Sequence, residues 1–171
     1  MILSQFDPEK RAIINPSDIV ASLPQFPKTV VTCFARATFA RILAEVPHRQ
    51  IAKTSMANLE IPVYELDFHG EKIGFFNSYV GASSCVAVLE DIIAMGAENL
   101  LVFGTCGVLD NSIKETSIII SNSAIRDEGT SYHYAPATNE IALNPTYRER
   151  FKNFLSHQSI SYTEGKVWST D

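Results

Sequence analysis

The run Leu100–Asp110, LLVFGTCGVLD, constrains this chain more than any other stretch: an apolar segment breaks at Gly104-Thr105-Cys106-Gly107 and then resumes. Four or five apolar residues without alternation predict a strand buried on both faces of a sheet, and the small residues behind it let a ligand approach the backbone closely. Just upstream, Gly81–Gly96 reads GASSCVAVLEDIIAMG, a helical pattern that opens on small residues and closes on a glycine C-cap. Strand, helix and strand in alternation predict an α/β domain whose site lies at strand ends.

The remaining segments fill out that plan. Residues 1–27 carry Pro8, Pro16, Pro24 and Pro27 and little periodicity, which predicts an extended lead-in with short turns. Lys28–Phe34 reads as the first strand. Ala35–Val46 reads as a helix, with Phe39, Ile42, Leu43 and Val46 on one face and Pro47 as its stop. Strand patterns at Ile61–Phe68 and Lys72–Tyr79 flank His69-Gly70-Glu71, a hairpin turn. Further on come a strand at Glu115–Asn122, a long polar loop through Pro136, a helix at Pro145–His157 and a strand at Ile160–Trp168. A hairpin inside an otherwise alternating pattern predicts a mixed sheet rather than a wholly parallel one.

Composition limits the partners. A chain of 171 residues suits one domain, residues 1–171, with a proper core. The net charge of −5 and the absence of any basic run argue against nucleic acid and point to a small-molecule partner. Cys33, Cys85 and Cys106 are odd in number, widely spaced and in apolar surroundings, which predicts reduced core thiols and a cytoplasmic setting. No apolar run reaches membrane-spanning length, and the N-terminus MILSQFDPEKR does not read as a signal peptide. His48, His69 and His157 lack metal-ligand spacing, so no metal is expected. His133, between two tyrosines, is expected to be a packed histidine, and Glu90 a solvated or paired carboxylate.

Five segments in order carry a resemblance: Gly81-Ala82-Ser83 with Leu89-Glu90-Asp91; Met95-Gly96-Ala97; Phe103–Gly107; Ala124–Tyr134 (AIRDEGTSYHY); and Gly165–Asp171 (GKVWSTD). Together they resemble the purine and uridine phosphorylase superfamily of nucleoside phosphorylases, most closely its uridine-phosphorylase-like members. The resemblance implies a three-layer α/β/α fold around a central mixed sheet, of the phosphorylase/hydrolase type. It implies cleavage of a nucleoside's N-glycosidic bond to base and ribose 1-phosphate, with inorganic phosphate as co-substrate, no other cofactor, and a homo-oligomer (dimer or hexamer). Thr105 matches a residue that contacts phosphate and ribose, Cys106 and Gly107 match positions whose backbone lies against the base, and Tyr79 falls near a position packing on ribose.

The chemistry of such a reaction agrees with these positions. Positive charge grows on the sugar and negative charge on the departing base, so a protein helps with donors at the anionic nucleophile and at the base. Backbone N–H groups at Gly104-Thr105 and at the helix start Gly81 suit the nucleophile end, although Ser83 or Ser84 as ordinary caps and a plain tight turn at Gly104 are competing readings. Arg126, Thr130 and Ser131 stand in a polar loop, where ordering of the turn or a subunit interface competes with a pocket role.

The sequence also departs from the family. An arginine usual two residues before the Gly104 position is Val102 here, and the family's Gly-Asp-Pro turn with its arginine has as nearest counterpart Asn15-Pro16-Ser17-Asp18. Arg36, Arg41 or Arg49 could take its place on the phosphate side; Arg36, at the end of the first strand, is the preferred candidate, with an ordinary helix-surface charge as the competing and commoner reading. The family also continues past the position of Asp171 by about a third of its domain, so this chain is expected to hold half a site. A nucleoside hydrolase of the same fold and a catalytically silent nucleoside-binding or assembly module are the alternatives.

Overall fold

A proline at the first helical position and an acid three residues beyond the cap suffice to start a turn inside the proline-rich lead-in. Pro16–Ile19 form the short helix α1, where the Asp18 carboxylate accepts from the Asn15 backbone N–H at 3.0 Å and from its Nδ2 at 2.9 Å. The lead-in is therefore not wholly extended. The computed structural model of the chain describes residues 2–113 and 118–170, and contacts divide it into two units, Glu9–Thr105 and Cys106–Asp171 with Met1–Pro8.

In the first unit, α1 is followed by β1 (Thr29–Cys33), α2 (Arg36–Glu45), β2 (His48–Met56), β3 (Leu59–Phe68), β4 (Glu71–Asn77), α3 (Ala82–Met95) and β5 (Asn99–Phe103). The strands form a five-stranded mixed sheet in the order β2-β3-β4-β1-β5, with β4, β1 and β5 parallel and β2, β3 and β4 antiparallel. The turn between β3 and β4 is the two-residue His69-Gly70, both with positive φ (53° and 85°), the geometry that matches strand twist.

Alternation along the strands sorts the core onto two faces. Val30, Ile61, Val63 and Phe76 pack with Val88, Ile92 and Met95 of α3, while Cys33, Leu66 and Phe75 pack with Phe39, Ile42 and Leu43 of α2. Helix, sheet and helix make the three-layer α/β/α arrangement expected. At the centre Gly74 is register partner to Val30, and a Cβ there would stand 2.8 Å from Val30 Cγ2. One buried acid interrupts the apolar sheet: Glu65, 6% exposed, accepts from Arg49 Nε at 3.0 Å, with Lys72 Nζ at 3.7 Å.

One strand was not anticipated and one expectation needs correction here. β2 carries too many charged and polar residues to announce itself, because it is an edge strand. β5, predicted as buried on both faces, is the opposite edge, and its Leu100, Leu101, Val102 and Phe103 are between 37 and 44% exposed. Its composition is that of an interior strand, whereas among the described residues only β1 pairs with it.

The second unit holds β6 (Ile118–Asp127), β7 (Glu140–Ala142), α4 (Pro145–His157) and β8 (Tyr162–Thr170). Its three strands lie in the order β7-β6-β8, β8 parallel to β6 and β7 antiparallel. Residues 115–117 of the strand expected at Glu115–Asn122 lie outside the described residues; the described strand runs on to Asp127 rather than ending at Asn122, and the loop after it includes a 3-10 turn at Thr130–His133. α4 matches its expected bounds, with Pro145 in its first turn and the Asn144 side chain accepting from the Thr146 N–H at 2.9 Å.

Candidate active site

The three parallel strands end level. Asn77, Cys33 and Phe103 are register partners, so the segments that follow β4, β1 and β5 leave the sheet along one edge. In open α/β sheets this carboxyl edge is where ligands bind. It is held by main chain and short side chains: the Cys33 carbonyl accepts from Asn77 Nδ2 at 2.7 Å and from the Ser78 N–H at 2.9 Å, and Thr32 Oγ1 donates to the Phe76 carbonyl at 2.9 Å.

Two helices begin on this edge, and neither is capped by a side chain. Ala35 is the N-cap of α2 and Gly81, at φ 104°, that of α3. The serines at 83 and 84 lie inside α3, so they do not act as its N-cap. Uncapped first turns present free N–H groups and the positive end of a helix dipole, a combination suited to an anion.

Beside them lies a cleft of about 510 Å³ lined by Phe34, Arg36, Pro62, Ser78, Tyr79 and Val80, among others. Arg36 is the first residue of α2, exposed, and the described residues give it no ion pair or hydrogen bond. Tyr79 is half-buried between the end of β4 and Gly81. A larger groove of about 710 Å³ lies between Ile19–Leu23, β2 and α3, away from the strand ends. Two of its polar pairs close on themselves, Thr54 Oγ1 donating to Asp91 and Lys53 to Glu60, so it offers less chemistry.

Among the expected site residues, Gly81, Arg36 and Tyr79 come together at or next to the cleft. Gly104 follows β5 on the same edge, and its α-carbon faces Phe34: a Cβ there would be 3.1 Å from Phe34 Cδ2. The segment from Gly104 to Gly107 is exposed throughout, Thr105 included, so it is not sealed under side chains. Cys106 and Gly107 are exposed residues of the second unit. Of the three cysteines only Cys33 is a core thiol; Cys85 is half-buried and Cys106 exposed, so the apolar setting expected for all three holds for one.

Arg126, Thr130 and Ser131 also belong to the second unit. Arg126, a residue 5% exposed, donates through Nε to Ser131 Oγ (2.9 Å), through Nη1 to the Pro136 carbonyl (2.6 Å) and Thr138 Oγ1 (3.0 Å), and through Nη2 to the Ala135 carbonyl (3.2 Å). It also stacks 4.2 Å from the centroid of the Tyr132 ring. Ser131 in turn donates to Glu128, whose other oxygen accepts from the Ser131 N–H. Arg126 thus orders its loop mainly through carbonyls and hydroxyls, with Glu128 joined through Ser131. His133 is exposed instead of packed.

Sequence reasoning missed Phe34, Pro62 and Ser78 as cleft residues. Phe34 and Ser78 are the first residues after parallel strands, and that position is itself the signal.

A mixed sheet between helices, with uncapped helix starts and a cation at its carboxyl edge, defines an α/β/α protein whose carboxyl edge carries donors of the kind suited to an anion. Comparison with known proteins gives the lineage. The chain belongs to the phosphorylase superfamily, whose family model matches residues 29–171. Uridine phosphorylase of Treponema pallidum (strain Nichols) is 33% identical over 99 residues, 58% of this chain and 38% of that protein. Guanosine phosphorylase of Halorubrum lacusprofundi is 26% identical over 77 residues, 45% of this chain and 32% of that protein. Among solved structures, uridine phosphorylase of Vibrio fischeri ES114 superposes with a TM-score of 0.75 at 24% identity, covering 88% of this chain and 62% of that one. Purine nucleoside phosphorylase of Toxoplasma gondii does so with a TM-score of 0.74 at 14% identity, covering 97% and 65%. The chain therefore spans about a third of these two curated relatives and under two thirds of these structures.

Proposed function

We propose that the protein is a nucleoside phosphorylase and that this chain supplies the phosphate and ribose side of its site. Uridine-like nucleosides are the favoured substrates, because uridine phosphorylases recur among the similar proteins. The observation that carries the reading is the pair of uncapped helix starts beside Arg36 at the level ends of three parallel strands. Phosphate held there attacks the anomeric carbon; its oxygen forms the new C–O bond while the C–N bond breaks and its electron pair leaves with the base. Donors fixed under the sugar keep the anion in place as the sugar becomes cationic. A cytoplasmic homo-oligomer agrees with the free thiols and with the exposed apolar β5.

An ultraviolet assay of base release from uridine and inosine, with and without phosphate, tests this. Release from uridine that requires phosphate is the expected result. The hydrolase alternative is favoured by one observation, the apolar Val102 where a phosphate-binding arginine is usual, and base release independent of phosphate would establish it.

A further inference from the structure

Gly104 was singled out as a place where substrate approaches the backbone, yet its α-carbon faces an aromatic ring. A Cβ at this position would come within 3.1 Å of Phe34 Cδ2 and 3.6 Å of Cε2, tighter than side chains ordinarily pack. The missing side chain therefore makes room for Phe34. That ring is the first residue after β1, half-buried, and lines the cleft together with Arg36 two residues on and Tyr79 across the strand ends. Gly104 is placed level with it because Cys33 and Phe103 are register partners, so the residues that follow them leave the sheet side by side.

We infer that Phe34 is a specificity-determining wall of the cleft and that Gly104 is a positioning residue acting through it. This rests on the nucleoside reading above. Phe34 and Tyr79 give the cleft two aromatic residues, and with Pro62 they offer an apolar lining to the uncharged nucleoside, while Arg36 and the helix starts serve the anion. Pushing the Phe34 ring by a few tenths of an ångström narrows the nucleoside's part of the cleft and leaves the anion's donors where they are. Gly104→Ala therefore raises the nucleoside KM about five-fold, since small misplacements at a reacting centre are felt strongly, and leaves the phosphate KM within about two-fold.

The test places 4-fluorophenylalanine at position 34 of the 171-residue chain and follows its fluorine resonance. The expected results are a shift on adding uridine or inosine, a second shift caused by Gly104→Ala without any ligand, and recovery of nucleoside affinity when Phe34→Leu is added to Gly104→Ala. A resonance that ignores Gly104→Ala, or ignores a nucleoside shown by calorimetry to bind, overturns the inference. So does a Gly104→Ala variant that weakens nucleoside and phosphate equally. If the parent chain binds neither uridine nor inosine, the role of Phe34 as a substrate wall in this chain falls, while the nucleoside reading is decided separately by the base-release assay above. The ligand-free shift then still decides whether Gly104 positions the ring.

Discussion

At the scale of single residues two arginines of the first unit are placed in opposite ways. Arg36 projects from the first turn of α2 with no partner among the described residues, and Arg49 is committed to the buried Glu65. Arg36→Ala is expected to raise the phosphate KM by roughly ten-fold or more while leaving the thermal midpoint nearly unchanged, because a charge-assisted contact is lost and no packing is. Steady-state kinetics over a phosphate series checks it. Hydrogen bonding from Arg49, opposed by burial and reinforced by the charges of Arg49 and Lys72, holds the Glu65 carboxyl below the ordinary glutamate range. A lowered carboxyl contributes stability that is fully present above its unfolded-state value and is lost as pH falls through its folded-state value. Glu65→Gln should therefore lower stability at neutral pH and flatten the acid limb of a plot of melting temperature against pH. The Glu65–Arg49 pair could not be read from the sequence, in which the two are charges sixteen positions apart.

Among elements, the long periodic ones were legible and the polar ones were not. α2, α3 and α4 were marked by apolar spacing, proline and glycine, and β1, β3 and β4 by apolar runs around a turn that requires positive φ. β2 and the end of β6 were missed because HRQIAKTSM and SAIRD owe their strand form to pairing partners rather than to their own pattern. Close packing inside the sheet gives a sharp test. Gly74→Ala sets a methyl against Val30 and should cost about 1–3 kcal/mol of stability in urea unfolding, partly recovered when Val30→Ala is added. In the second unit, Arg126→Lys keeps the charge but cannot serve Ser131, Pro136, Thr138 and Ala135 at once. Amide exchange over residues 128–138 should quicken, with a stability loss on the order of 2–3 kcal/mol.

For the molecule as a whole, the motif order made the family legible, whereas the position of β5 at an edge was hidden. A run such as LLVF looks the same whether a neighbour covers it or not, since burial depends on what pairs with it. Exposed apolar edges invite association, so light scattering should show the chain self-associating as concentration rises, and Val102→Lys should suppress this. The level termination of β4, β1 and β5 has a broader consequence. If an anion is held there as proposed, backbone register and helix polarity choose where it settles, and location and strength are specified separately. Losses at the rim, such as valine at position 102, would then loosen the hold without relocating the guest. Kindred chains can then change nucleophile or leaving group while keeping a common floor plan.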